Sequence, residues 1–465
     1  MRTAFQWSPG FWTPGISRGL DRLKPVLHAL LLVLMALPAA AEDLSLPDAV
    51  AMALERNPQM RMAAAERRTA VVRNSEARSM WLPRLELTET YGRSNNPVFV
   101  FGSLLEQGRF GQANFDPRVL NGPEPLRNWR MALTARYTIF DQFRRLDSGR
   151  QAGRAVEQAD MAVEESRQRV RADVLARFYG VIVAEAKRDV AADAARTAEA
   201  DAKAMRDRFE QGLLVESDAL AAEVQLASFR QQEIEAEGDL AVAHAALNTA
   251  VQRELDSDLT PHGTLTDRTF DEIPLEAALA QGRAARGQMR SAALASQNAA
   301  LQVQIARSSL LPRVDSYASW GSSGVNFGTR NSDHMIGVMA SFAVFDPSKV
   351  ARIAEARAGA DAAEAGRAAA NDQVSMEIVS AWHRVRSARQ RVELSTKAVA
   401  QAEAAARIVR DRYEQGLTTI TEHLRAQTAL VTARLNLLGA RYEYINGYAE
   451  LLRATGGLHD VDPFS

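Results

Sequence analysis

The residue types that carry catalysis are present in this chain but nowhere converge. No H-E-x-x-H, no G-x-S-x-G and no G-x-x-x-x-G-K-[ST] occurs. The spacings that would place two His on a zinc ion, a Ser on a strained turn, or backbone N–H groups around a phosphate are therefore missing. Gly321 to Gly328 (GSSGVNFG) lacks the Lys of a phosphate loop and reads as a loop where the second strand pair turns. The seven His are scattered, and His423 beside Glu422 reads as a surface helix residue rather than a metal ligand. With no Cys in the chain, disulfides, thiolate metal sites, Cys nucleophiles and a lipid-bearing Cys are all excluded. The expectation is a non-enzyme with no cofactor and no metal. No nucleic-acid partner is expected, because 56 Lys and Arg against 57 Asp and Glu create no basic field.

The elements must then be read for what they build. The composition, 46% hydrophobic and only 6% aromatic over 465 residues, is that of a folded chain of two to four domains or of a repeat. Arg2, Arg18, Arg22 and Lys24 precede an apolar stretch from Val26 to Leu37, which ends in Pro38-Ala39-Ala40-Ala41-Glu42. That order predicts a secretory signal peptide over residues 1–41. The alternative, a membrane-anchoring helix, would need roughly 20 apolar residues. Removing the leader takes away four basic residues against Asp21 alone, so the exported chain is more acidic than its formal charge of -1 suggests. No later apolar run approaches a spanning helix, so any membrane span must be made of strands.

The chain is written twice. Leu46 to Met60 aligns with Leu275 to Met289, and Leu82-Pro83-Arg84 with Leu311-Pro312-Arg313, both at an offset of 229 (289 − 60 and 312 − 83). Tyr137 to Asp141 then matches Phe342 to Asp346 at 205 (345 − 140). The offset falls by 24 between these landmarks, which places a longer loop in the first half, within 95–128. Finally, Arg206-Asp207-Arg208-Phe209-Glu210-Gln211-Gly212-Leu213 recurs as Arg410 to Leu417 with only Phe changed to Tyr. The first repeat is assigned to 42–251, a polar linker with Pro261 and Gly263 to 252–272, the second repeat to 273–457 and a tail to 458–465.

Each half reads as helix, two strands, long helix, turn, helix. Strands are expected at about 84–93 and 128–140, and again at about 313–322 and 334–345. In the second of these Trp129, Met131, Leu133, Ala135, Tyr137 and Ile139 alternate with a more polar set, and the fourth repeats that parity with Ile336, Val338 and Ala340. A half-buried strand of a soluble sheet alternates in the same way, but runs of about 9–11 residues also suit tilted membrane strands. The helix following Asp147 reaches Phe209 without Pro, roughly 60 residues or about 90 Å. Near its end Ala191, Ala195, Ala198, Ala202, Met205 and Phe209 step by heptads, as do Val399, Ala402, Ala406, Val409 and Tyr413. Gly212 and Gly416 then end helices, giving tips at 209–218 and 413–422, and new helices start where Ser217 or Thr419 can cap.

Four strands cannot close a membrane barrel, whose minimum is about eight, and an open edge cannot face lipid. Several copies must supply one, and three would give twelve strands. The insertion at 95–128, with Phe99, Phe101, Leu104, Leu105, Phe110 and Phe115, is expected on the outward side, packed over the barrel mouth or its neighbours.

The doubled pattern resembles the TolC family of outer-membrane efflux proteins. It is carried by Ala49, Ala53 and Asn57-Pro58, by Trp81-Leu82-Pro83, by the Arg-Phe-Glu-Gln-Gly-Leu tip with its Arg-Tyr-Glu-Gln-Gly-Leu copy, and by Leu451 to Gly457. The resemblance covers essentially the whole mature chain and, without a Cys at the cleavage site, points to the non-lipidated branch. It implies a mainly α chain with a transmembrane β part. Three copies would form a 12-stranded barrel in the outer membrane of a Gram-negative bacterium, continuous with a periplasmic coiled-coil tunnel. It also implies outer-membrane lipid, a periplasmic adaptor (membrane fusion protein) and an inner-membrane pump of RND or ABC type as partners.

Residue by residue, the resemblance assigns adaptor contact at the hairpin tips to Phe209, Gly212, Leu213, Tyr413, Gly416 and Leu417. The acidic residue after the first tip is Asp218. Of the two constricting carboxylates after the second tip, the first is Glu422, but Arg425 stands at the second position and Thr418 replaces an Arg frequent in the family. The expectation is an ion pair of Glu422 and Arg425, three apart on one helix face, at the entrance; an ordinary solvated pair would look the same in sequence. The favoured function is the exit duct of a tripartite efflux system, passively conducting small molecules outward. The exit duct of a type I protein secretion system is the alternative, and an exported structural coiled-coil rod without a pore the remote one.

Overall fold

The computed structural model describes residues 42–265, 269–327 and 331–464, and the expected leader at 1–41 lies outside them. The chain begins with β1 (Glu42–Leu44), followed by α1 (Leu46–Arg56) and α2 (Pro58–Ser79). Ser45 Oγ accepts from the Asp48 N–H (3.3 Å) and Asn57 Oδ1 from the Gln59 N–H (2.8 Å), so each helix has its first turn capped by a side chain. Pro58 opens α2 where a missing N–H costs nothing.

The first repeat continues with β2 (Arg84–Ser94), α3 (Pro97–Glu106), α4 (Pro117–Asn121), β3 (Leu126–Phe140), α5 (Arg144–Glu210) and α6 (Glu216–Ala250). β4 (Leu259–Pro261) lies between the repeats, and the second repeat runs through α7 (Leu275–Ala285), α8 (Gly287–Ser308), β5 (Arg313–Gly324), β6 (Asn331–Ser341), α9 (Pro347–Glu414) and α10 (Ile420–Ala454). The two long helices, α5 with 67 residues and α9 with 68, are each about 100 Å long at about 1.5 Å per residue. One part of each pairs with the helix after its tip, α6 or α10, and the other part with the shorter α2 or α8. The hairpins also carry duplicated ion pairs, Arg230 to Glu199 at 2.9 Å and Arg434 to Glu403 at 2.8 Å.

β2, β3, β5 and β6 form one antiparallel sheet in that order, leaving β2 and β6 as unclosed edges. Its register puts Leu85, Leu87, Tyr91, Trp129, Leu133, Trp320, Ile336 and Val338 on one face. Ile336 is 80% exposed and Leu85 69%, so a single chain leaves this apolar face uncovered. The opposite face carries Glu86, Arg130, Thr134, Arg136, Asp315 and Asp333. Among the described residues no helix is long and apolar enough to cross a membrane. β6 lies earlier than its sequence pattern suggests. It ends at Ser341, the last residue with a partner, Arg313, and Phe342 to Phe345 run past the ladder towards the Asp346 cap of α9.

The principal core lies midway along the molecule. Val174, Leu175 and Phe178 of α5 meet Val50 and Ala53 of α1, Leu247 of α6 and Ile445 of α10, all buried. Described residues of the polar stretch between the repeats take part in this packing. β4 pairs in parallel with β1, Leu259 is buried, and Phe270 stacks on Tyr448 with ring centroids 4.1 Å apart. The chain end docks here too, with Leu458, Val461 and Phe464 buried.

Candidate functional site

Both long helices end in the same hydrogen-bonded turn. At the first, the Gly212 N–H donates to Phe209 O (2.8 Å) and the Leu213 N–H to Arg208 O (2.9 Å). At the second, Gly416 donates to Tyr413 O (2.9 Å) and Leu417 to Arg412 O (2.8 Å). This satisfies carbonyls left open by a helix end and requires a left-handed residue, here Gly212 at φ +72° and Gly416 at φ +73°. Leu213 and Leu417 consequently project from the tips, 72% and 63% exposed.

The tips lie side by side. Ala202 and Met205 of α5, Ala222 of α6 and Ile420 of α10 form a small buried cluster, with Tyr413 and Leu424 packed against it. The heptad residues Ala191, Ala195, Ala198, Ala202 and Met205 are buried, whereas Phe209 at the end of the seam is 39% exposed. Along α9 the corresponding seam is half-buried, from Val399 to Tyr413. The helix starts differ between the tips. Thr419 Oγ1 accepts from the Glu422 N–H (3.4 Å), whereas α6 begins after Val215 with no side-chain cap, so Ser217 does not serve there.

Asp218 and Glu422 occupy the first turns of α6 and α10, where carboxylates favour the helix N-terminus. Glu422 Oε1 accepts from Arg425 Nη1 at 3.0 Å, with the side chains 54% and 72% exposed. Arg425 also borders a groove of about 710 Å³ between α6, α9 and α10, lined by Gln225, Ser395, Thr421 and Thr428 among others.

His423 is the residue that sequence reasoning misplaced. It is 3% exposed rather than on the surface, because its position on α10 turns it towards α5. Its Nε2 lies 3.0 Å from Asp201 Oδ2, and Gln427 donates to the same carboxylate. The Tyr413 ring stacks on the imidazole at 5.3 Å and donates its hydroxyl to Met205 Sδ (2.9 Å). Burial would raise the Asp201 carboxyl, but the hydrogen bonds from His423 and Gln427 and the charge of Arg410 outweigh it and hold it below the ordinary Asp value. Burial pushes the Tyr413 hydroxyl up. Among the described residues no group of three or more His, Cys, Asp or Glu could hold a metal ion.

The 95–128 stretch is a folded unit. Phe101, Phe110 and Phe115 pack edge to face, with centroids 4.8 and 5.1 Å apart, between α3 and α4.

Comparison with known proteins adds four findings. The sequence model of the outer membrane efflux protein family matches residues 49–251 and 278–457. The alkaline protease secretion protein AprF of Pseudomonas aeruginosa is 24% identical over 462 residues, covering 95% of this chain and 90% of that protein. In fold, the chain is similar to the CmeC outer membrane channel of Campylobacter jejuni, with TM-score 0.77, 17% identity, and 89% of this chain and 85% of that one covered. It is likewise similar to the outer membrane protein VceC of Vibrio cholerae, with TM-score 0.74, 20% identity, and 89% and 96% covered.

Proposed function

The chain belongs to the outer membrane efflux protein family, and from that premise we propose that it is the exit duct of a tripartite efflux system, passively conducting small molecules from an inner-membrane pump and periplasmic adaptor to the outside. As a family member it is an outer-membrane protein, with most of its helical mass in the periplasm. One observation carries the duct: a sheet of four strands, mostly apolar on one face, where Glu89 and His334 interrupt it, and polar on the other, with both edges open and two helical hairpins running from it. Open edges cannot face lipid, so we take the working unit to be a homotrimer whose twelve strands close on themselves. A barrel of that size leaves a lumen, whereas eight strands are filled by side chains.

In this reading Phe209, Gly212, Leu213, Tyr413, Gly416 and Leu417 meet the adaptor, and Asp218, Glu422 and Arg425 line the entrance. The projecting Leu213 and Leu417 support the first assignment, and the place of Asp218 and Glu422 in the first helical turns after the tips supports the second. A second reading, the exit duct of a type I secretion system, is favoured by the match to a protease secretion protein over 95% of the chain. Deletion of the gene followed by drug, metal and secretome profiling separates them. Sensitivity to small toxicants with an unchanged secretome supports efflux, and loss of a secreted polypeptide supports type I secretion. Absence of a heat-resistant trimer and of conductance in planar bilayers would return the chain to a rod without a pore.

A further inference from the structure

The register of the sheet places Gly92, Asn128, Arg130, Gly321, Ser323, Asn331 and Asp333 on the polar face, opposite the face of Trp129, Leu133 and Ile336. If the apolar face meets lipid, the polar face is the lumen. The insertion between β2 and β3 folds onto that polar face. Phe99 covers Gly92 so closely that a Cβ there would lie 3.1 Å from its ring. Gln107, 8% exposed, donates to Arg127 O (2.7 Å) and Asn128 Oδ1 (3.0 Å). Glu106, at the end of α3, accepts from Asn128 (3.1 Å) and Ser323 (3.3 Å) through Oε2, and from Asn331 (2.7 Å) through its backbone carbonyl.

Arg130 completes the attachment. Its guanidinium lies across Gly321, where a Cβ would come within 2.8 Å, to donate twice to Asp333 (2.9 and 3.1 Å), and it stands 3.4 Å from Glu106. The end of α3 is thereby tied to β3, β5 and β6 at once. These contacts lie at the Ser94 end of β2, whereas α2 precedes the Arg84 end, so the insertion sits away from the helical tunnel. Strand pairing does not require it, since the second repeat joins β5 to β6 through residues 325–330 alone.

We propose that this insertion is an inward-folded constriction at the outer mouth of the duct, held on the lumenal wall by Glu106, Gln107 and Arg130, and that it restricts the exit to small solutes. The proposal rests on the duct reading above and deepens it by naming a size limit and the residues that set it. A second constriction, distant from the tips, then stands between the lumen and the medium.

The chain has no Cys, so Thr134→Cys puts a unique thiol on the lumenal face of β3, four residues beyond Arg130 towards the tunnel. Intact cells are treated from outside with a small maleimide or with one carrying a bulky polymer. The expected result is labelling by the small reagent only, and labelling by both once residues 95–124 are replaced by the sequence of residues 325–330, which joins β5 to β6. Equal exclusion of the bulky reagent with and without the insertion overturns the constriction. Should the excised chain not assemble, Glu106→Ala in the same background decides, with partial loss of protection expected and unchanged protection overturning the proposal. A thiol at 134 that even the small reagent cannot reach in any assembled variant, though reactive after denaturation, instead overturns the open duct.

Discussion

His423 Nε2 and Asp201 Oδ2 stand 3.0 Å apart and join α10 of the second repeat to α5 of the first, beneath the stacked ring of Tyr413. This contact ties the two hairpins at the entrance end of the proposed tunnel.

Asp201→Asn is expected to destabilise the tip by about 1–3 kcal/mol, as for loss of a buried charge-assisted hydrogen bond. Because the folded carboxyl is held below its ordinary value, the stabilisation is fully present above the unfolded value of about 3.9 and is lost as pH falls through the folded one. Thermal melting of both proteins across acidic pH should show a constant gap at neutral pH that closes in acid. A gap that widens on acidification would contradict the sign.

Glu422 and Arg425 form an exposed pair at 3.0 Å, worth only about 0.3 kcal/mol to the helix. Glu422→Gln should leave the melting temperature nearly unchanged yet alter single-channel conductance and weaken block by multivalent cations. Unchanged bilayer recordings for Glu422→Gln and Arg425→Ala would remove these residues from the entrance.

Gly212 and Gly416 have open space where a Cβ would go, so substitution is opposed by the backbone and not by a clash. Gly212→Ala and Gly416→Ala should each cost about 1 kcal/mol. Asn, which tolerates the left-handed region, should cost less in the same melting experiment.

Leu213→Glu and Leu417→Glu change side chains that are 72% and 63% exposed. Trimer stability should hold while crosslinking to the adaptor and export both fall. Intact export by the double variant would argue that the tips are not the docking surface.

The sequence by itself determined the duplication, the alternating strands, the long heptad helices and the two Gly turns. Each of these is a local periodicity or a backbone requirement written in consecutive residues. His423 was illegible because its partner Asp201 is 222 positions away, and nothing beside Glu422 distinguishes a helix face turned to solvent from one turned to a neighbouring helix. The stretch between the repeats looked like a linker because Pro, Gly and polar residues mark turns, yet pairing of β4 with β1 and burial of Leu259 depend on the chain start, also remote. The insertion's aromatics signalled a packed unit, but only the register of three strands decided that it faces the polar side of the sheet. Local pattern fixes which elements form, whereas long-range packing and hydrogen bonding decide which of their faces meet.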